Sequence, residues 1–383
     1  MTSQSVDTEV SPTGDSPAPS DRPARVLLLV EQLRRKAAGG IGTYVRSLIQ
    51  GLADLPDEDR PDIELYASRP RTNPDLLALV GFPLRTSALP GPVMTRAWDR
   101  GLLRAPSGYD VVHALSMATP DPGAAALVST VHDLLWRHVP ETYPARGRSW
   151  HEAALRRALA RSDRFLVPSD RVAGDLIEAG APSDRVSVVP MGCDHLPAPD
   201  PVAVDALLAR LEVSGPFLLS VGTMEPRKNL VRLALAYDKV RSSLPEPWPL
   251  VVVGPSGWGE QLHEHQGVVM AGLVTPAELA GLYARARLLA YVPLMEGFGL
   301  PPVEAMLAGA PVVASDVPSS AAAAYRVDPS DTDSIAEGLL VVATDEAERE
   351  RLQSAGRLRA AELSWSSIAR RHVALWEEVR GGG

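Results

Sequence analysis

Two glutamates, Glu296 and Glu304, stand eight residues apart around the run Gly297-Phe298-Gly299-Leu300-Pro301-Pro302-Val303. Carboxylates at such a spacing can accept hydrogen bonds from hydroxyl groups or take part in acid–base work. The spacing alone also fits a strand–loop–helix connection with two solvated glutamates. The residues between them narrow the choice. Leu288 to Val292 reads as a short buried strand, and Gly297 and Gly299 let the chain turn tightly. Pro301 and Pro302 suit the first turn of a helix, where a missing N–H costs little. Glu296 is therefore expected at the mouth of a strand and Glu304 in the first helical turn, beside free N–H groups that form a ready anion site. A cationic pair, Arg227-Lys228, follows the apolar strand Phe217 to Val221. Two cations at a strand–helix junction are where a diphosphate would need neutralising, although a solvated basic pair reads the same way. The lysines are Lys36, Lys228 and Lys239, whereas arginine is plentiful, so a lysine in this loop marks a place for a compact ammonium. His132, in Val131-His132-Asp133-Leu134, ends another apolar run. His113, ending Asp110-Val111-Val112-His113, is its rival, and a lone histidine is more often structural.

The elements that must hold these groups alternate between strand and helix. Arg25 to Val30 reads as a strand, Gly39-Gly40-Ile41-Gly42-Thr43 as a loop, and Tyr44 to about Leu55 as an amphipathic helix. The loop lacks the full G-x-G-x-x-G spacing, so it reads equally as a tight turn and as a phosphate loop. Further short apolar strands are expected at Ile63–Ala67, Val111–Ala114, Leu127–Val131, Arg164–Val167 and Val186–Val189, with helices at His151–Ala160 and Arg171–Ala179. Leu196 to Pro201 is Pro-rich and reads as a linker. After it come strands at Leu250–Val253, Val268–Ala271 and Val312–Ala314, then a final helix over Ser366–Val379. The fold class expected is α/β: two Rossmann-like, doubly wound domains facing a cleft, with ligands bound at the carboxyl ends of the strands. The division is a disordered tail (1–22), an N-terminal domain (23–195), a linker (196–214), a C-terminal domain (215–363) and a terminal helix (364–383).

The chain has 383 residues, enough for two ordinary domains, and is 45% hydrophobic and 22% charged. A formal net charge of −9 argues against a nucleic-acid partner. One cysteine, Cys193, excludes a disulfide within the chain and a cysteine-based zinc site, and fits a reducing compartment. The first residues, rich in Ser, Pro, Asp and Thr, lack the apolar stretch of a signal peptide. No apolar run approaches the length of a membrane-spanning helix.

Val221-Gly222-Thr223-Met224-Glu225-Pro226-Arg227-Lys228-Asn229, then Gly254-Pro255-Ser256-Gly257-Trp258, then Glu296 to Glu304, in this order, resemble glycosyltransferase family 4 over roughly residues 25 to 378. Val131 to Trp136 with Pro140-Glu141 resembles the mannosyltransferase-like branch. The resemblance implies the two-domain GT-B fold and retaining transfer from a nucleotide sugar. It implies that Arg227 and Lys228 hold the donor diphosphate, that Glu296 meets sugar hydroxyls, and that the backbone of Gly297, Phe298, Gly299 and Leu300 meets sugar and phosphate. Glu304 would bind the ribose, Val274 would lie beside the base, and Gly40 and Gly42 would close over the phosphates from the other domain. His132 would lie near the reacting centre and the acceptor. Ser169 and Gly192-Cys193-Asp194 would serve at the domain border, and the terminal helix would cross back to the N-terminal domain.

Two departures stand out. Thr223 occupies a position where many relatives carry arginine, and the segment after Pro318 is shorter than theirs by roughly one helical turn. The expected activity is transfer of a hexose to an acceptor hydroxyl, with mannose from GDP-mannose as the guess and UDP-glucose or dTDP-rhamnose close behind. No cofactor or metal is expected, since no Asp-x-Asp pair occurs in the cleft motifs. The expected partners are the nucleotide-sugar donor and an acceptor that is a glycan, lipid-linked or a small molecule. A cytoplasmic setting is expected, with peripheral contact at the inner membrane face. The alternative reading is a non-catalytic sugar-nucleotide-binding or scaffold protein of the same fold. An oxidoreductase would need the missing glycine fingerprint, and the motifs fit a nucleotide-sugar 2-epimerase less well than a transferase.

Overall fold

The computed structural model describes residues 22–35, 39–70, 75, 77, 81–255 and 265–381. Residues 1–21, Lys36, Ser256-Gly257-Trp258 and part of the 71–98 acceptor segment lie outside them. The N-terminal half builds a parallel sheet from β1 (Arg25–Leu29), β2 (Asp62–Ala67), β3 (Leu84–Thr86), β4 (Val111–Ala114), β5 (Ala126–Thr130), β6 (Arg164–Val167) and β7 (Val186–Val188), in the order β3-β2-β1-β4-β5-β6-β7. Its helices are α1 (Gly39–Ala53), α2 (Gly91–Asp99), the short α3 (Leu135–His138), α4 (Ala145–Arg161) and α5 (Asp170–Glu178). The C-terminal half builds a second parallel sheet, β10-β9-β8-β11-β12-β13, from β8 (Leu218–Val221), β9 (Leu250–Val253), β10 (Val268–Gly272), β11 (Leu288–Tyr291), β12 (Val312–Ala314) and β13 (Tyr325–Arg326). Around it lie α6 (Pro201–Arg210), α7 (Leu230–Val240), α8 (Pro276–Arg285), α9 (Leu300–Leu307), α10 (Thr332–Thr344) and α11 (Glu346–Ala361).

The inner strands are apolar on both faces because helices cover both, the pattern of a doubly wound sheet: β4, β9 and β11 are buried along their whole length. In each sheet the strand order reverses beside the first strand, at β1/β4 and at β8/β11, and at the second of these Val221, Gly222 and Tyr291 open on the cleft. The last helix, α12 (Trp365–Gly381), packs on α1 of the N-terminal half. Gly51 makes that approach possible, since a Cβ there would come within 2.7 Å of the Trp365 carbonyl oxygen. One apolar cluster runs through Met191, Cys193, Phe298 and Trp365 and joins the two halves.

Three expectations are corrected. The glycines at 39, 40 and 42 do not form a loop ahead of a helix; they are its first turn, because α1 begins at Gly39. The presumed linker over 196–214 holds α6, whose Asp200 side chain caps the Ala203 N–H at 3.1 Å with Pro201 as the first helical residue. A Pro-rich stretch there was the signature of a helix start. Finally, α9 begins at Leu300, so Glu304 sits in the second turn, not the first. The short β3 and β13 were not anticipated, since two or three residues are too few to show a period.

Candidate active site

A cavity of about 570 Å3 lies between the halves. From the C-terminal half, Arg227 and Lys228 stand on a short turn after β8, and Asn229, in the left-handed conformation, turns the chain into α7. Asn229 Nδ2 anchors that turn by donating to the carbonyls of Val292 (3.0 Å) and Pro329 (2.7 Å). Glu296 follows β11 and is buried. Three donors converge on its Oε1: Lys228 Nζ at 2.5 Å, Arg227 Nη1 at 2.7 Å and the Tyr291 hydroxyl at 2.9 Å. Burial alone would push this carboxyl up, but Lys228 and Arg227 bring it down to about 2. Lys228 also donates to the Tyr291 hydroxyl at 2.8 Å, and Arg227 Nη2 donates to Glu225 Oε1 at 2.6 Å. The two cations and two carboxylates form a closed network of zero formal charge.

The Gly297–Leu300 turn needs its glycines. A Cβ at Gly297 would come within 2.2 Å of the His132 carbonyl oxygen, so this turn is where the halves touch. Gly299 has φ 86° and a Cβ there would meet Val317 at 2.5 Å. Phe298, Gly299 and Leu300 line the cavity, and α9 starts at its wall. Glu304 lines it too, with Oε2 accepting from the Tyr283 hydroxyl at 2.7 Å and Oε1 at 3.2 Å from His195 Nε2. Val274 stands on the rim.

From the N-terminal half, His132 and Asp133 reach the cavity at the end of β5. His132 Nε2 donates to the Leu115 carbonyl at 3.0 Å, which leaves Nδ1 as a buried lone pair without a partner among the described residues. Burial pushes the ring down to about 4, so it is neutral near pH 7. His113 is remote from the cavity: its ring is fully buried between the Thr130 hydroxyl (2.9 Å) and Trp376 Nε1 (3.3 Å). Gly40 lines the cavity at the start of α1, whereas Gly42 is buried in the helix and is not part of the wall. Ser169 caps α5 and donates to the Gly297 carbonyl at 2.6 Å, and Asp194 accepts from the Trp365 N–H at 2.8 Å. Both stand at the border between the halves.

The structure adds residues that the motifs did not single out. Asp133 is half-buried facing the cationic pair, and burial raises its carboxyl although Arg227 opposes the rise. Its position directly after His132 was the available signal. Glu225, two residues before Arg227, and Tyr291, five before Glu296, were within local reach of the motifs, whereas His195 has a signal only in three dimensions. The shortened segment after Pro318 still supports the turn: the Ser319 N–H donates to the Phe298 carbonyl at 3.0 Å and its hydroxyl to the Gly299 carbonyl. Thr223 lines the cavity without supplying charge.

Comparison with known proteins agrees with this architecture. Residues 210–359 match the family model described as glycosyl transferases group 1, and residues 38–195 the model for glycosyltransferase family 4. O-antigen chain mannosyltransferase B of Escherichia coli is 32% identical over 256 residues, covering 63% of this chain and 67% of that protein. The MMP alpha-(1->4)-mannosyltransferase of Mycolicibacterium hassiacum is 28% identical over 416 aligned positions, 92% of this chain and 98% of that protein. Among solved structures, Anabaena Alr3699/HepE in complex with UDP and glucose superposes with a TM-score of 0.70 at 18% identity, covering 92% of this chain and 99% of that one.

Proposed function

The chain belongs to the group 1, family 4 glycosyltransferases of GT-B fold, and from that premise we propose retaining transfer of a hexose, mannose first, to an acceptor hydroxyl. As a member it is a glycosyltransferase that takes its sugar from a nucleotide-sugar donor. The two mannosyltransferase relatives support the choice of sugar. The observation that carries the reading of the site is the convergence of Arg227, Lys228 and Glu296 opposite His132 at the contact between the halves.

In this reading the bond between the sugar's anomeric carbon and the diphosphate oxygen breaks. Arg227, Lys228 and the Gly299 and Leu300 amides ahead of the two prolines of α9 neutralise the charge left on the diphosphate. Glu296 accepts from a hydroxyl of the transferred sugar, and Glu304, oriented by Tyr283, takes the ribose diol. Val274 lies beside the base. The first amides of α1, at Gly40, approach the phosphates from the other side; Gly42 serves helix packing. His132 is neutral, so it holds the sugar or acceptor by hydrogen bonds and does not act as an imidazolium acid. The cationic pair does the work that a metal would otherwise do, and among the described residues no group of three or more His, Cys, Asp or Glu is arranged to hold a metal ion. A cytoplasmic setting goes with this reading, with the inner membrane face for a lipid-linked acceptor. No helix among the described residues is long and apolar enough to cross a membrane.

The test is a thermal-shift panel of UDP, GDP, dTDP and their sugars, followed by transfer assays that read the anomeric configuration of the product. GDP and GDP-mannose should shift the midpoint most. A larger shift with UDP-glucose or dTDP-rhamnose moves the donor assignment, and silence across the panel overturns the site.

A further inference from the structure

Behind the Gly297–Gly299 turn lies a second cavity, of about 450 Å3, which the donor reading leaves unused. Four arginines from four elements line it: Arg171 in the first turn of α5, Arg326 on β13, Arg359 on α11 and Arg371 on α12. The carboxylates in its wall are Asp170 and Asp316. Asp316 is already shared by Arg171 and Arg326, and Arg359 pairs with Glu362 at 2.8 Å. The Arg371 guanidinium has no hydrogen bond or ion pair among the described residues, and it and Arg326 reach the recess from its solvent-exposed side. In a chain of net charge −9 this is a local excess of cation. Guanidinium groups gathered in one recess repel one another, and an anion relieves that repulsion. Their planar forks match phosphate oxygens.

We propose that this cavity binds a phosphate-bearing anion and that its occupation tightens donor binding. Two of the arginines, Arg171 and Arg371, belong to elements packed on the first sheet, and the other two to the C-terminal half. An anion held by both pairs therefore favours the arrangement in which the halves are together. Phe298 lines both cavities. Ser169, next to Arg171, holds the Gly297 carbonyl, and Arg359 Nε donates at 2.9 Å to the carbonyl of Ser319, the residue that braces Phe298 and Gly299. The coupling, though not the site, rests on the donor reading of the neighbouring cleft.

The experiment uses the full chain saturated with the nucleoside diphosphate it prefers, so that the donor cleft is filled, and titrates inorganic phosphate at ionic strength matched with sodium chloride. Wild type should show a rise in unfolding midpoint, and in a separate calorimetric titration of the nucleoside diphosphate, with and without phosphate, its affinity should rise about fivefold, the lower end of ordinary coupling. Arg371→Gln should lose both responses while its midpoint without phosphate stays unchanged. The nucleotide-free chain, titrated in parallel, reads the rear site even if the donor reading fails. Sedimentation with phosphatidic acid vesicles separates the sources. Association lost in Arg371→Gln and competed by phosphate assigns a lipid headgroup, and phosphate binding without association assigns a soluble ligand. Equal responses in wild type and Arg371→Gln overturn the site, as does a wild type that binds neither phosphate nor vesicles. Bound phosphate with unchanged nucleotide affinity overturns the coupling.

Discussion

Glu296→Gln is expected to tighten binding of the bare nucleoside diphosphate while crippling transfer. In the folded chain Glu296 is the shared counter-ion of Arg227 and Lys228, and its carboxyl is held at about 2 against an ordinary 4.5. That depression corresponds to about 3 kcal/mol of net preference for the charged form, at ~1.4 kcal/mol per tenfold. With Glu225 counted, Arg227, Lys228, Glu225 and Glu296 sum to no net charge. A diphosphate must therefore draw its cations away from carboxylates that already hold them. Glutamine keeps the shape and a hydrogen-bonding oxygen but leaves one positive charge over. If about half of the preference is released to the ligand, the diphosphate Kd falls roughly tenfold. Turnover should fall by about 10²–10³, the scale of losing a sugar contact that tightens as the glycosidic bond breaks. Isothermal calorimetry at pH 7 with the nucleoside diphosphate, and single-turnover transfer with the full donor, measure the two effects. Diphosphate binding that is weaker or unchanged in Glu296→Gln would refute the argument that this carboxylate competes with the phosphates for their cations.

Glu304→Gln should weaken nucleoside diphosphate and nucleotide sugar alike, by about tenfold for one charge-assisted contact, while leaving a 2′,3′-dideoxynucleoside diphosphate unaffected; comparative calorimetry checks it. Turnover should survive EDTA, and a large loss restored by Mg²⁺ or Mn²⁺ would show that the leaving-group chemistry is misassigned. The fold should lose stability in acid. His132 and His372 are pushed by burial to about 4 from an ordinary 6.5, so below pH 6.5 the unfolded chain binds more protons than the native one. Stability is therefore full above pH 6.5 and falls as the pH drops towards 4, by about 2 kcal/mol per histidine at pH 5. Denaturant unfolding at pH 7 and pH 5 measures this, and His372→Gln should flatten the slope.

The alternation of apolar strands with helices was legible because buried parallel strands leave short, uninterrupted apolar runs. The Arg227-Lys228 pair and the Glu296/Glu304 pair could be placed on the cavity wall because each lies at one short strand-to-helix connection. What could not be read was pairing across the fold. Nothing local says that His195 meets Glu304 or that Lys228 joins Glu296, since separations of this kind are settled by sheet order. The two histidines, one near the end of β4 and one just after β5, look alike in sequence. Only the crossing of α12 buries His113 under Trp376 and leaves His132 at the cleft. Helix starts at Gly39 and Pro201 were misjudged because glycine and proline signal loops as well as first turns.

The central claim is that Arg227 and Lys228 receive the donor diphosphate in this cleft. The direct measurement is calorimetric titration of wild type and Lys228→Ala with the preferred nucleoside diphosphate, alongside unfolding midpoints of both. The account predicts a loss of about 1.5–3 kcal/mol in binding, roughly ten- to a hundredfold in Kd, with the midpoint little changed. Undiminished affinity in Lys228→Ala would contradict it.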